Sequence, residues 1–378
     1  MTISSFYSNT GKYLKNMQGW RSKTRYVVFE SDDWGSVRMP SREIYEKCLL
    51  AGYPVDKISY ERYDSLLSQD DLELLFELLC DFRDINENHP VFTANCVVAN
   101  PDFERIKSGH SQSYYYELIT ETFKKYPRHS RNFEIWLEGL ENGVFFPQYH
   151  AREHLNVSKF MKALREGDED AHWALLNNMP GSIPKGPEVK GNYYVEATRY
   201  DSLPDKSEKL RIYLEGLDLF EKLFGYKSES IIPTNYTWSH DFDHPVYEKS
   251  VRYFQGNRTM REPVPGSKDK YHRHYLGKTN NLGQIYLVRN VIFEPSMLVK
   301  NSNDPVSKCL NDMSIAFRMN KPAIIGTHRL NYVGFIDVKN RDRNLQLLRE
   351  MISEALKTWP DIQFITSCKL GERISGRE

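Results

Sequence analysis

Three carboxylates crowd the end of one apolar run. Tyr26-Val27-Val28-Phe29 is followed by Glu30, Asp32 and Asp33, and then by Trp34-Gly35, where the chain can turn. The run reads as a short buried strand. Acids at such a strand end are costly unless a cation or hydrogen bonds compensate them; the plain alternative is an acidic surface loop. Two further stretches bear on that choice. In His150-Ala-Arg-Glu-His154 two imidazoles stand four residues apart, the spacing that puts both on one face of a helical turn and within reach of a single cation. An aspartate added to that pair gives one oxygen and two nitrogen ligands and leaves positions open for water, as hydrolytic zinc needs. Ile324-Ile-Gly-Thr-His328 places another imidazole just past an apolar run, where it can give a proton to a leaving group. The plain readings are two polar histidines at a loop–helix junction and a solvent-facing His328 beside Arg329.

Stretches at 26–29, 91–97, 143–150, 230–236, 285–293, 323–328 and 362–366 read as strands, and most are separated by helical patterns, the clearest at 206–224. That order is expected of a parallel α/β fold. Asp32, Asp33, His150, Asn235, Glu294 and His328 all fall at strand ends. In a β/α barrel those ends share one mouth, whereas an open doubly wound sheet gathers them at a crevice. Pro147 is awkward inside a ladder. Residues 166–204 and 240–282, polar and rich in Gly and Pro, break the rhythm as two excursions from a single domain spanning 1–378.

The balance of 51 Lys+Arg against 51 Asp+Glu in 378 residues argues against a bulk nucleic-acid binder. No glycine fingerprint, phosphate loop or nucleophile elbow follows any strand, so dinucleotide, nucleotide and serine-hydrolase readings have no anchor. The five cysteines are odd in number and widely spaced, which predicts reduced thiols. The first twenty residues lack an apolar signal core and no apolar run spans a bilayer, so a cytoplasmic protein is expected. Periodicity assigns no oligomeric state.

Together these residues resemble a known pattern. Ser31-Asp32-Asp33-Trp34-Gly35 is similar to the Asp-Asp motif that opens the polysaccharide deacetylase (NodB-homology, carbohydrate esterase family 4) fold. His150-Ala-Arg-Glu-His154 is similar to that family's His-x-x-x-His motif, and Thr327-His328 to its last, strand-end histidine; the three occur in family order. The resemblance implies a distorted (β/α)7 TIM-like barrel with two long excursions. It implies Asp32 as general base, Asp33, His150 and His154 as ligands of a divalent metal, and His328 as general acid. Zinc leads for such a donor set, with nickel, cobalt or iron tolerated. A carboxylate or backbone carbonyl is expected on the second nitrogen of each metal-binding imidazole.

The chain departs from the family in three places. Trp34 intervenes before Gly35, Pro233-Thr-Asn-Tyr236 lacks the motif arginine that orients the base, and the Asp and Trp of the fourth motif have no counterpart. By strand position Arg289 can stand near Asp32 and Glu294 near His328, with Asn235 and Tyr236 supporting. The activity implied is hydrolysis of an N-acyl (second, O-acyl) group on a sugar or small glycan precursor, a carbon–nitrogen bond outside peptides. Tyr193, Tyr194, Tyr236, Trp238, His240, His272 and His274 offer stacking faces and hydrogen bonds to a sugar, or merely fasten loops. Two rivals stay open: a glycosidase pairing Asp32 with Glu294, and a barrel that binds a glycan or partner without turnover.

Overall fold

The computed structural model describes residues 11–181, 185, 194–297 and 304–377. Its centre is the nine-residue strand Tyr26–Trp34 (β1), buried from end to end. Period-2 alternation sorts this strand into two environments. Val27 and Phe29 join the large core, whereas Tyr26 and Val28 join a smaller cluster with Tyr253, Leu287, Ile324 and Leu370.

The other strands of the sheet are β2 (Phe92–Val97), β3 (Phe145–Ala151), β4 (Ser230–Ile231), β5 (Tyr253–Gly256), β6 (Ile285–Val288), β7 (Val291–Ile292), β8 (Ala323–His328) and β9 (Gln363–Phe364). Eight lie in the order β6-β5-β4-β3-β2-β1-β8-β7, all parallel, and β9 adds to the start of β1. Val28 can meet Tyr253 on β5, four places along, only because the sheet curls around that face. The floor of the curl is the helix Ser367–Ser375, which brings Cys368 and Leu370 to the cluster. Above the floor the same face carries Glu30, Arg289 and Gly326, and then Asp32 and His328 at the mouth.

The expected distorted (β/α)7 TIM-like barrel is met in part, because no closed barrel is formed. The sheet is open and curled, TIM-barrel-like with flanking helices and long helical insertions. Its two edge strands are nevertheless successive pieces of one stretch. Residues 285–293, a single strand by pattern, are β6 on one edge and β7 on the other. Between them the Arg289 N–H donates to the Gly256 carbonyl (2.9 Å) and the Asn290 N–H to the Ile324 carbonyl (3.2 Å). That change of partner interrupts the ladder and leaves Arg289 facing inward at the seam.

The second excursion also differs from expectation, because it supplies β5; four residues between Arg252 and Asn257 are too few to show alternation. Pro147 is tolerated because β4 pairs with β3 only at Tyr149, so no ladder bond is demanded on that side. Helix boundaries follow their caps: Ser202 accepts from the Asp205 N–H at the start of Leu203–Phe224, and Gly225 ends that helix at φ +78°. Among the described residues no helix is long and apolar enough to cross a membrane, and the five cysteines are unpaired.

Candidate metal centre and active site

Consecutive residues of a regular strand point to opposite faces, so Asp32 and Asp33 can share a pocket only if β1 breaks its alternation. It does. The register with β2 shifts between Ser31 and Trp34, and Asp33 has φ +73°, a conformation costly for a residue with a Cβ. The irregularity re-aims Asp33, and both carboxylates line a cavity of about 580 Å³ at the C-terminal ends of the strands. Asn235 and Tyr236, at φ +52° and +54°, line it too. Three of the ten non-glycine residues at positive φ among the described residues thus line this cavity.

His150 is the penultimate residue of β3, but His154 is not on a helix. Residues 152–155 bend before the helix Val157–Arg165, and this bend, rather than helical spacing, sets the two rings 5.0 Å apart. Arg152 holds it by donating to both oxygens of Glu153 (2.6 and 2.8 Å), while its carbonyl accepts from the N–H groups of Val98 and Ala99 (3.1 and 2.7 Å).

Asp33 Oδ1 lies 3.4 Å from His150 Nε2 and 3.2 Å from His154 Nε2. One ligand atom from each of the three residues falls within 4.8 Å of the others. His150 Nδ1 donates to the Ile232 carbonyl (2.7 Å), which leaves the lone pair of a neutral imidazole on Nε2, facing Asp33. That nitrogen is buried without a hydrogen-bond partner. Two lone pairs facing each other repel unless positive charge stands between them, so the donor set fits a divalent cation. This is a buried Asp-His-His cluster capable of coordinating a metal ion. Burial opposes ionisation of Asp33, yet the adjacent imidazoles, His154 foremost, hold its carboxyl well below the usual range. Burial pushes the His154 imidazole down, toward the neutral form a metal needs. The expected second-nitrogen partner is present for His150 alone; His154 Nδ1 has none among the described residues.

Asp32 is held from the seam. Arg289 Nη1 and Nη2 donate to its two oxygens (2.7 and 2.6 Å), and Asn95 Nδ2 donates to Oδ1 (2.8 Å). Burial raises the Asp32 pKa, but Arg289, with His328 and His150 behind it, outweighs that and the net shift is downward. On the other side His328 Nδ1 contacts Glu294 Oε1 (2.5 Å), and His328 Nε2 lies 3.6 Å from Asp32 Oδ2. Asn331 Nδ2 donates to the second Glu294 oxygen (2.7 Å). Burial disfavours the imidazolium, yet Glu294 and the two aspartates lift His328 to about 9, so it is protonated at neutral pH. The imidazole thus stands between the Glu294 and Asp32 carboxylates.

Asn95, Tyr60, Arg38, Glu196 and Arg261 also belong to this region without having been singled out from sequence. Asn95 had a signal: a polar residue two positions from Thr93 in an apolar strand puts polar atoms on one face. Tyr60 sets its ring edge-on to His328 (centroids 5.3 Å), and Arg38 lies over the Tyr60 ring at 4.9 Å. Arg261 donates to Glu196 (2.5 Å), and Arg199 holds Asp269 with two bonds (2.8 and 3.0 Å), tying the two excursions together at the rim. Other aromatic candidates lie elsewhere. Tyr194 and Trp238 are core residues, and Tyr193 lies outside the described residues. His240, His272 and His274 line a separate cavity of about 590 Å³.

No protein-family model matches the chain, and no curated protein matches it in sequence. Among solved structures it is similar to the allantoinase Puue, at 10% identity and a TM-score of 0.49, over 95% of this chain and 93% of that one. It is similar to a probable polysaccharide deacetylase from Pseudomonas aeruginosa PAO1, at 10% identity and 0.46, over 94% and 92%. A third likeness is to the 4-alpha-glucanotransferase from Thermococcus litoralis, at 10% identity and 0.43, over 92% of this chain but only 40% of that enzyme's length. Likenesses this distant assign neither a family nor an activity.

Proposed function

We propose that the protein is a metal-dependent hydrolase that removes an N-acyl group, or second an O-acyl group, from a sugar or glycan precursor. One observation carries this reading: the Asp33–His150–His154 set shares its cavity with the Asp32 carboxylate and the His328 imidazole. The sugar class rests on the order of the three sequence motifs. A divalent cation on Asp33, His150 and His154, zinc first, supplies Lewis acidity toward the acyl carbonyl and acidifies water. Asp32, kept ionised by Arg289, accepts the proton of the attacking water. His328 gives its Nε2 proton to the departing amine, and Glu294 on Nδ1 fixes the ring for that task. Asn235 and Tyr236 shape the substrate side. Turnover of N-acetylated sugars that stops on chelation and returns with zinc is the expected result; hydrolysis indifferent to chelation contradicts the proposal.

Glu294 gives a second test. Because the folded-state pKa of His328 is raised, the proton-donating form is present below about 9 and lost above it. The stability its pairing adds is likewise full below the unfolded histidine pKa and disappears as pH rises through about 9. Glu294→Gln is therefore expected to move the alkaline limb of kcat/KM to lower pH. An unmoved limb removes the Glu294–His328 pair from proton donation.

A further inference from the structure

We propose that Glu30 is a positioning residue for the base: it aims the Arg289 guanidinium at Asp32 from one layer below the cavity. The inference rests on the hydrolytic reading above and extends it to a side chain that no substrate can touch, since Glu30 is 0% exposed.

A guanidinium is a rigid planar fork. Two of its nitrogens, Nη1 and Nη2, are taken by Asp32, and Nε donates to Glu30 Oε2 (2.7 Å). The two carboxylates therefore fix the guanidinium plane from two sides. Charge balance does not require the second, because Asp32 alone neutralises Arg289. Burial pushes the Glu30 carboxyl up, and Asp32 adds to that push, so the arrangement is kept at a cost. Glu30 is itself anchored, with Oε1 accepting from the Ser367 hydroxyl (2.9 Å) at the start of the floor helix. Gly326 completes the cradle. A Cβ there would lie 2.8 Å from Arg289 Cδ, so any side chain would push the arginine off its line. The placement runs from floor helix to Glu30, to Arg289, to the oxygen that takes the water's proton.

Glu30→Gln keeps the shape and removes the charge. Its expected effect is a loss of roughly 10- to 100-fold in kcat, the scale of a misplaced reacting group, with KM and metal content unchanged. In an Asp32→Asn background the same change should cost nothing further, because the two act through one another. A wild-type kcat in Glu30→Gln, or an equal loss in both backgrounds, overturns the proposal. Gly326→Ala reaches the same arginine without touching Glu30, and the same kcat-only loss is expected if Glu30→Gln does not fold; an unchanged kcat there overturns it. If the wild-type protein hydrolyses no acyl substrate, the hydrolytic reading fails and the wiring is read directly by NMR. An Arg289 Nε–H resonance that shifts in Glu30→Gln and exchanges faster supports the positioning contact, whereas an unchanged one refutes it.

Discussion

Arg289→Met is expected to destabilise the fold by about 3–5 kcal/mol, the range for breaking a buried ion pair by removing one partner. Arg289 is 3% exposed, and its removal strands Glu30 and Asp32, at 0% and 4%, without their cation. Glu30, one layer below the cavity, has no water to turn to. The sign of the pH dependence follows. With Arg289 present the Asp32 pKa is depressed, so its contribution exists above the unfolded aspartate value and is lost on acidification through the folded one. Without Arg289, burial raises both folded-state values, and the variant's deficit shrinks as pH falls because the carboxyls can take protons. Denaturant unfolding at neutral and acid pH measures both. A deficit below 1 kcal/mol at neutral pH would show that the pair is not a structural keystone.

Asp32→Asn is the variant with the largest expected effect on rate. Asparagine keeps the shape but cannot accept the water's proton, and its amide faces a guanidinium that only donates. A loss of at least roughly 10²-fold in kcat is expected, the low end of a general base's contribution. Metal content should be unaffected, since Asp33 and the two imidazoles make the donor set without Asp32. Near-normal turnover with intact metal would remove Asp32 from the chemistry.

The sequence made some of this legible and hid the rest for physical reasons. Carboxylates and imidazoles stand out at strand ends because burial makes them expensive, whereas Arg289 is placed near Asp32 by strand position alone. The parallel α/β class was legible from strands alternating with helices. The open edge was not, because pattern cannot show that residues 289–290 change partners within one apolar stretch. β5 was hidden in an excursion by its shortness. Helical spacing suggested how His150 and His154 meet, but the bend held by Arg152 brings them together. Nor could Glu30 be told from an ordinary third acid, since its task depends on the direction of a single guanidinium nitrogen.

Metal content is the most direct measurement of what this cavity is for. Elemental analysis and titration of the purified chain are expected to find one divalent ion bound, retained in Asp32→Asn. His150→Ala and His154→Ala should each lose it with their circular dichroism unchanged, because the apolar floor and helices do not lean on the ion. A wild-type chain that takes up no divalent cation, or histidine variants that bind one as tightly as wild type, would contradict the assignment of Asp33, His150 and His154 as a metal centre.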